Sequence, residues 1–129
     1  MPDSILSIIN EFKDIVKHCI GDELSAVILY GSYARGDYQN GSDIDIMILV
    51  DTEDEKIKDY EEEIYDRAFD LELKYGIVIS PIIKNRQFFE YWSDTLPFYR
   101  NIKKEGVKVA WQTNKKIYAY TAWKRRKKR

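Results

Sequence analysis

Two small residues and two carboxylates lie close together in this sequence and could act on a phosphate group. Gly31 and Ser32 form the small pair, and Asp43 and Asp45 follow after a gap of ten residues. A glycine lets a phosphate approach the backbone closely, and a serine hydroxyl together with backbone N–H groups can donate to its oxygens. The glycine-serine pair therefore predicts a phosphate-binding turn.

The two aspartates predict a metal site beside that turn. Residues 42–51 are rich in Ile, Leu and Val and predict a strand, on which Asp43 and Asp45 share one face because side chains alternate with a period of two. Two adjacent carboxylates repel each other unless a cation lies between them. Magnesium takes oxygen ligands of this kind, keeps several waters and accepts substrate phosphates as further ligands. We therefore predict that Asp43 and Asp45 hold Mg²⁺.

These residues together resemble the signature of the polymerase-beta-type nucleotidyltransferases. The resemblance is carried by Gly31-Ser32 and Asp43-Ile44-Asp45, with Ala34-Arg35-Gly36 between them. Within that group the chain most resembles the minimal nucleotidyltransferase proteins of prokaryotes, which are often encoded beside a HEPN-domain partner. The resemblance covers residues 5–109 and implies an α+β nucleotidyltransferase fold, with a small mixed β-sheet of three or four strands flanked by helices.

The resemblance also implies a role for each residue of the motif. Asp43 and Asp45 would be the catalytic residues and the ligands of Mg²⁺, and ATP would be the nucleotide substrate. Ser32 would donate to the β- or γ-phosphate, and Gly31 would allow the phosphates to approach. The implied reaction is attack of a hydroxyl on the α-phosphorus, which releases pyrophosphate.

Arg35 has two interpretations that the sequence leaves open. Its forked guanidinium donors could neutralise the charge of the nucleotide phosphates, which would add it to the nucleotide-binding residues Gly31 and Ser32. It could equally pair with Asp37 or brace the loop. Both interpretations use the same side chain, so only its position in the fold can separate them.

In one respect the sequence departs from the family. Members carry a third carboxylate on a later strand, where it ligates the catalytic metal and helps to activate the attacking hydroxyl. The corresponding segment here, residues 77–83, has Ser80 as its only polar side chain. Asp70 and Glu72 belong by their spacing to the preceding helix. The sequence therefore offers no evident third carboxylate.

The hydrophobic pattern predicts the elements that position this motif. Residues 24–30 are apolar on both faces, so we expect an interior strand that delivers Gly31 and Ser32 at its exit. Pro81 indicates an edge strand or a bulge, because proline cannot donate to a sheet. The remaining predicted elements are strands over 42–51 and 77–83, a brief extension over 107–111, helices over 4–20 and 52–75, a short helix that carries Phe88, Phe89 and Trp92, and a helix from Pro97 to Gly106.

Local signals predict where the helices begin. We expect Asp3 or Ser4 to cap the first helix, and Thr52 with Glu55 to form a capping box at the start of the longest one. Asn85 is expected to cap the short helix that follows the third strand.

Length and composition predict one domain with a basic tail. The 129 residues are 44% apolar and 33% charged, as is typical of a soluble globular protein, and no run approaches the roughly 18 apolar residues of a membrane span. The net charge of -1 includes six positive charges at 124–129, so the other residues together carry -7. We predict a nucleotidyltransferase domain over 1–110 and a basic, loosely ordered tail over 111–129. The single cysteine, Cys19, excludes an internal disulfide and favours the cytoplasm.

Three functions remain open from the sequence. The first is transfer of AMP from ATP to a hydroxyl of a partner protein, a HEPN toxin, for which the chain would be the antitoxin. The second is a catalytically degenerate binding antitoxin, which the missing third carboxylate motivates. The third is transfer to a small molecule or RNA. The basic tail could attract nucleic acid by neutralising phosphates, although a terminal run of charge is more often solvated.

Overall fold

The computed structural model describes residues 1–111, which form a four-stranded sheet between two layers of helices. A 3₁₀ turn, Gly21–Glu23, follows the first helix. In chain order the elements are α1 (Asp3–Ile20), β1 (Leu24–Tyr30), α2 (Ser32–Arg35), β2 (Ile44–Val50), α3 (Asp54–Tyr75), β3 (Ile79–Asn85), α4 (Arg86–Trp92), α5 (Pro97–Glu105) and β4 (Val107–Trp111).

The sheet is mixed, as predicted. Its strand order is β3-β2-β1-β4, in which β1 runs antiparallel to both β2 and β4, while β2 and β3 are parallel. The expectation that β1 is interior is confirmed, since all seven of its residues are buried. Pro81 lies in β3, which is an edge strand of this sheet, as its missing N–H predicted.

Two apolar clusters cover the opposite faces of the sheet. On one face Phe12 of α1 and Ile64 of α3 belong to the same buried cluster as Ile46 of β2. On the other face Ile102 of α5 belongs to the cluster that contains Met47. Burying a side chain of this size contributes about 1.5–3 kcal/mol, whereas an exposed ion pair contributes about 0–1 kcal/mol. These clusters, rather than surface charges, therefore hold the layers together.

The start of α1 differs from the prediction. Pro2 is the N-cap, and neither Asp3 nor Ser4 caps the helix, because α1 begins at Asp3 without a side-chain cap hydrogen bond. The Pro2 carbonyl instead accepts from the N–H of Ile5 at 3.1 Å. Proline is pre-set for this role because its φ angle is fixed near the value found here, -62°.

The capping box predicted for α3 is wrong as well. Glu53 is the N-cap, and no side chain caps the helix. Thr52 lies outside the helix, and its side chain makes a hydrogen bond with Glu23 rather than with the first turn of α3. The C-terminal end of α3 agrees with the prediction, since Gly76 follows the helix in the left-handed conformation, with φ 73°.

The segment from β3 to β4 follows the predictions more closely. The strand β3 is displaced by two residues from the predicted range 77–83, since Ile77 and Val78 belong to the link that follows α3 and the strand continues to Asn85. Asn85 caps α4 as expected, since its side-chain oxygen accepts from the N–H of Phe88 at 3.0 Å. The predicted tail, 111–129, lies outside the described residues except for its first residue, which ends β4. No helix within residues 1–111 combines the length and apolar character needed to cross a bilayer.

Glu23 links the turn before β1 to α3 through an ion pair and a hydrogen bond. Its carboxylate lies 2.5 Å from Lys56 Nζ and accepts a hydrogen bond from the Tyr60 hydroxyl, also at 2.5 Å. The hydrogen bonds from Lys56, Tyr60 and Thr52 lower the pKa of Glu23 from 4.5 to about 2. The charged form of Glu23 is thus favoured by folding.

Replacing Glu23 by Gln is expected to lower the melting temperature at pH 7 by at most about 4 °C, because the Glu23 side chain is 30% exposed and that of Lys56 55% exposed, so water screens the ion pair. A lowered carboxylate pKa adds stability above its unfolded value, and that stability is lost as the pH falls through the folded value. The difference between wild type and Glu23→Gln should therefore shrink from pH 4.5 to about 2 in thermal unfolding. The exposed Glu62→Gln is the control. A difference that stays constant down to pH 2 would contradict this assignment.

Candidate active site

The end of β1 turns sharply into a one-turn helix. The turn is made by Gly31, whose φ of 77° and ψ of -156° belong to a region that is essentially restricted to glycine. The N–H groups of Ala34 and Arg35 donate to the Gly31 carbonyl at 3.1 and 3.0 Å. These bonds fix the start of α2 and place Ser32 at the rim of the sheet, as the sequence predicted.

Asp43 and Asp45 enter the same rim from β2. Asp45 is the second residue of β2 and pairs in register with Tyr30, the last residue of β1. Asp43 precedes the strand, which begins at residue 44 rather than at 42 as predicted. The cause is a turn in which the Gln39 N–H donates to Ser42 Oγ at 2.8 Å and the Ser42 N–H donates back to the Gln39 carbonyl at 3.1 Å.

Gly31 and Asp45 are in close contact. A Cβ atom added at Gly31 would lie 2.3 Å from Asp45 Oδ2 and 3.1 Å from its Cγ. The sequence predicted that glycine would leave room for a phosphate. In the structure the same room is taken up by the carboxylate of Asp45, so Gly31 also determines where that carboxylate can lie.

All five predicted site residues line one cavity of about 440 Å³. This volume lies within the range of about 300–1,000 Å³ that small-molecule sites occupy. The cavity opens at the rim of the sheet and is bounded on its other side by α5. Its predicted lining residues are Gly31, Ser32, Arg35, Asp43 and Asp45.

The carboxylate pair carries negative charge that its surroundings do not fully balance. Burial and then the charge of Asp43 raise the pKa of Asp45, and Arg35 opposes this only in part. Burial and the charge of Asp45 also raise the pKa of Tyr30 to about 12. A cation between the two carboxylates would relieve this repulsion.

The donor set fits magnesium. Within residues 1–111 no group of three or more His, Cys, Asp or Glu side chains converges on a point where a metal could bind. Two carboxylates are nevertheless enough for Mg²⁺, which is usually bound through one or two carboxylates and completes its shell with water and substrate phosphates. Asp43 and Asp45 are the residues of this cavity that could hold it.

Arg35 is held by two carboxylates. Its Nε donates to Asp37 Oδ2 at 3.2 Å, and its Nη1 donates to Glu105 Oε1 at 3.1 Å. The pairing with Asp37 that the sequence allowed is therefore present, and a second pairing with α5 accompanies it. The Arg35 side chain is 44% exposed and also lines the cavity, so it remains within reach of a ligand.

The strand that should carry a third carboxylate presents a serine instead. Ser80 of β3 is in register with Asp45 of β2, next to the carboxylate pair. Asp70 and Glu72 lie on α3, as their spacing predicted. The departure from the family pattern is thus located beside Asp45.

Helix α5 also contributes to the cavity, which was not predicted from the sequence. Residues at positions i, i+3, i+4 and i+7 of this helix lie on its cavity side, which is the spacing of a single helical face. That spacing was a usable signal, but the sequence alone does not show which face meets the motif. The unforeseen lining residues are Tyr30, Ser42, Phe98, Asn101, Ile102 and Glu105.

Comparisons by sequence agree with this geometry. The family model of the nucleotidyltransferase domain matches residues 8–119. Two proteins of Methanocaldococcus jannaschii, provisionally named as protein adenylyltransferases, are similar to the chain. One is 42% identical over 95 residues, which is 74% of this chain and 94% of the relative. The other is 40% identical over 101 residues, which is 76% of this chain and 90% of the relative.

Comparisons by structure show the same fold at lower identity. A provisionally named nucleotidyltransferase from Sulfolobus solfataricus superposes with a TM-score of 0.51 and 22% identity, covering 84% of this chain and 82% of that chain. A chain from a toxin-antitoxin crystallised with AMP-PNP has a TM-score of 0.51 and 17% identity, covering 92% of this chain and 91% of that chain.

Proposed function

Because the chain belongs to the nucleotidyltransferase domain family, we propose that it transfers AMP from ATP to a hydroxyl of a partner protein. The partner in this proposal is a HEPN-domain toxin in the cytoplasm, and transfer to one of its tyrosines makes the chain its antitoxin. The observation that carries the proposal is the convergence of Ser32, Asp43 and Asp45 on one cavity at the sheet rim.

Each of the five predicted site residues has a role in this proposal. Ser32 donates its hydroxyl to an oxygen of the β- or γ-phosphate, next to the turn at Gly31. Asp43 and Asp45 hold Mg²⁺, which supplies positive charge against the triphosphate when it is bound. Arg35 exchanges one of its carboxylate partners for a phosphate oxygen, which its exposed side chain allows.

The transfer needs no reagent other than ATP and the acceptor hydroxyl. The oxygen of the acceptor hydroxyl forms a bond to the α-phosphorus, and the bond from that phosphorus to the oxygen bridging the α- and β-phosphates breaks. Pyrophosphate leaves, and the proton of the hydroxyl is released. Catalysis in such transfers is mainly positioning and electrostatic stabilisation. The rigid turn would supply the positioning, and a cation held by the carboxylate pair would supply the stabilising positive charge.

Two considerations support a protein as the acceptor. Relatives that are 42% and 40% identical are provisionally named as protein adenylyltransferases. The elements within residues 1–111 also form one layered unit around one sheet, and a protein acceptor can dock on such a unit through its own surface. The structural neighbour crystallised with AMP-PNP comes from a toxin-antitoxin, which motivates the choice of a toxin as partner.

The proposal is tested by two labels in parallel. The purified chain is incubated with Mg²⁺, ATP labelled at either the α- or the γ-phosphate, and the product of the neighbouring gene, which in this proposal is the HEPN-domain partner. We expect the partner to take up label from α-labelled ATP only, with the mass increase of one AMP. Label from the γ-position would indicate phosphorylation, and no label in a stable complex would contradict transfer.

A second candidate function is a binding antitoxin without catalysis. The observation that favours it is Ser80, which stands beside Asp45 where the family has a carboxylate on the later strand. In this case the chain inhibits its partner by covering it, and inhibition persists without ATP. Comparing inhibition with and without ATP and Mg²⁺ separates the two candidates.

A further inference from the structure

The cavity has two chemically different walls. The groups suited to phosphates and metal, among them Ser32 and Asp45, come from the segment that joins β1 to β2 and from the start of β2. The opposite wall comes from α5, where Phe98 contributes an aromatic ring and Asn101 an amide. A nucleotide has the same division, since its triphosphate is charged and its base is flat and aromatic.

We propose that Phe98 stacks on the base of the bound nucleotide and that Asn101 recognises the edge of adenine. This inference rests on the proposed nucleotide transfer and names the part of the chain that selects ATP.

Phe98 is placed for such stacking. Its side chain is 46% exposed even though it borders a cavity, so part of the ring is available to a ligand. The ring is nevertheless held in place, with its centroid 5.8 Å from that of Tyr30 at an interplanar angle of 86° and 5.5 Å from that of Tyr99 at 64°. A fixed aromatic ring can stack on a base at a low cost in side-chain entropy.

Asn101 lies one helical turn beyond Phe98 and lines the same cavity. It is exposed, so its amide group is open to a ligand. An amide offers one acceptor and two donors, which complement the N6 amino group and a neighbouring ring nitrogen of adenine. On the edge that carries N6 and N7, guanine presents only acceptors, O6 and N7, so the amide oxygen finds no donor there in either orientation.

Binding measurements with three probes test this inference. Calorimetry in Mg²⁺ compares ATP, GTP and inorganic tripolyphosphate, which lacks the base and the sugar. We expect Phe98→Ala to weaken the binding of ATP about tenfold or more, as the measured cost of losing a base-aromatic stack predicts. The affinity for tripolyphosphate should stay within about twofold of the wild-type value. Asn101→Ala should remove the preference for ATP over GTP. Phe98→Tyr should bind ATP like the wild type.

The control is Tyr91→Ala, which removes an aromatic side chain of α4 that is 73% exposed and does not line the cavity. It should bind all three probes like the wild type. If Phe98→Ala binds ATP as tightly as the wild type, or loses affinity for tripolyphosphate by the same factor as for ATP, the base does not stack on Phe98. If the wild type binds neither ATP nor tripolyphosphate, the proposed nucleotide transfer itself fails.

Discussion

Replacing Asp43 and Asp45 together by Asn is expected to lower AMP transfer by at least about a thousandfold, because the amides keep the shape of the carboxylates but lose the charge that holds a hard cation. Transfer is measured as label from α-labelled ATP that becomes attached to the partner protein. Transfer that survives in the double variant would contradict the assigned site.

The same substitution should not destabilise the fold. Burial and the charge of Asp43 raise the pKa of Asp45, so its charged form is disfavoured in the folded state at neutral pH. A neutral amide at position 45 removes that cost, and the melting temperature of the double variant should equal or exceed that of the wild type. Loss of transfer with an unchanged melting temperature separates a chemical role from misfolding. Asp66→Asn with Asp70→Asn, on the exposed face of α3, is the matched control.

Replacing Gly31 by Ala is expected to lower transfer about a hundredfold and to destabilise the fold by roughly 1–3 kcal/mol. The new Cβ would lie 2.3 Å from Asp45 Oδ2, so the carboxylate has to move away from its position at the cavity. The backbone there also has a φ of 77°, which disfavours any residue other than glycine. Transfer and the free energy of unfolding are measured on the same preparation.

The variant Gly36→Ala separates the effect of the backbone conformation from the effect of the contact with Asp45. Gly36 also has a positive φ, of 91°, but a Cβ there would meet nothing within 4 Å. This control should lose stability by about 1 kcal/mol through the backbone alone and keep most of the transfer. If Gly31→Ala and Gly36→Ala lose transfer equally, the contact between Gly31 and Asp45 does not explain the effect.

The fold could be predicted from the sequence where the signal is local and repeated. The apolar run of β1, the alternation of Ile46 and Met47 in β2, and the termination of α3 at Gly76 each follow from side-chain period or backbone freedom, and each is present in the structure. The helix starts were predicted less well. Thr52 had a competing partner in Glu23, which is distant in sequence, so the local capping pattern did not decide its hydrogen bond.

Part of the candidate site could likewise be predicted from the sequence, and part could not. Gly31, Ser32, Asp43 and Asp45 belong to one antiparallel pair of strands and the segment that joins them, so their spacing was enough to predict that they meet. The wall formed by α5 could not be predicted, because its place depends on how residues 97–105 pack across the sheet. The pairing of Arg35 with Glu105 links these two parts and has no signature in the sequence.

Pro81 has a consequence for how this protein behaves at high concentration. The free edge of an outer strand is a template on which another chain can add a strand, and such addition leads to aggregation. Pro81 lies near the middle of β3 at the outer edge and has no N–H to offer an incoming strand, so a continuous ladder of hydrogen bonds cannot form there. Proline at this position therefore protects that side of the sheet against self-association.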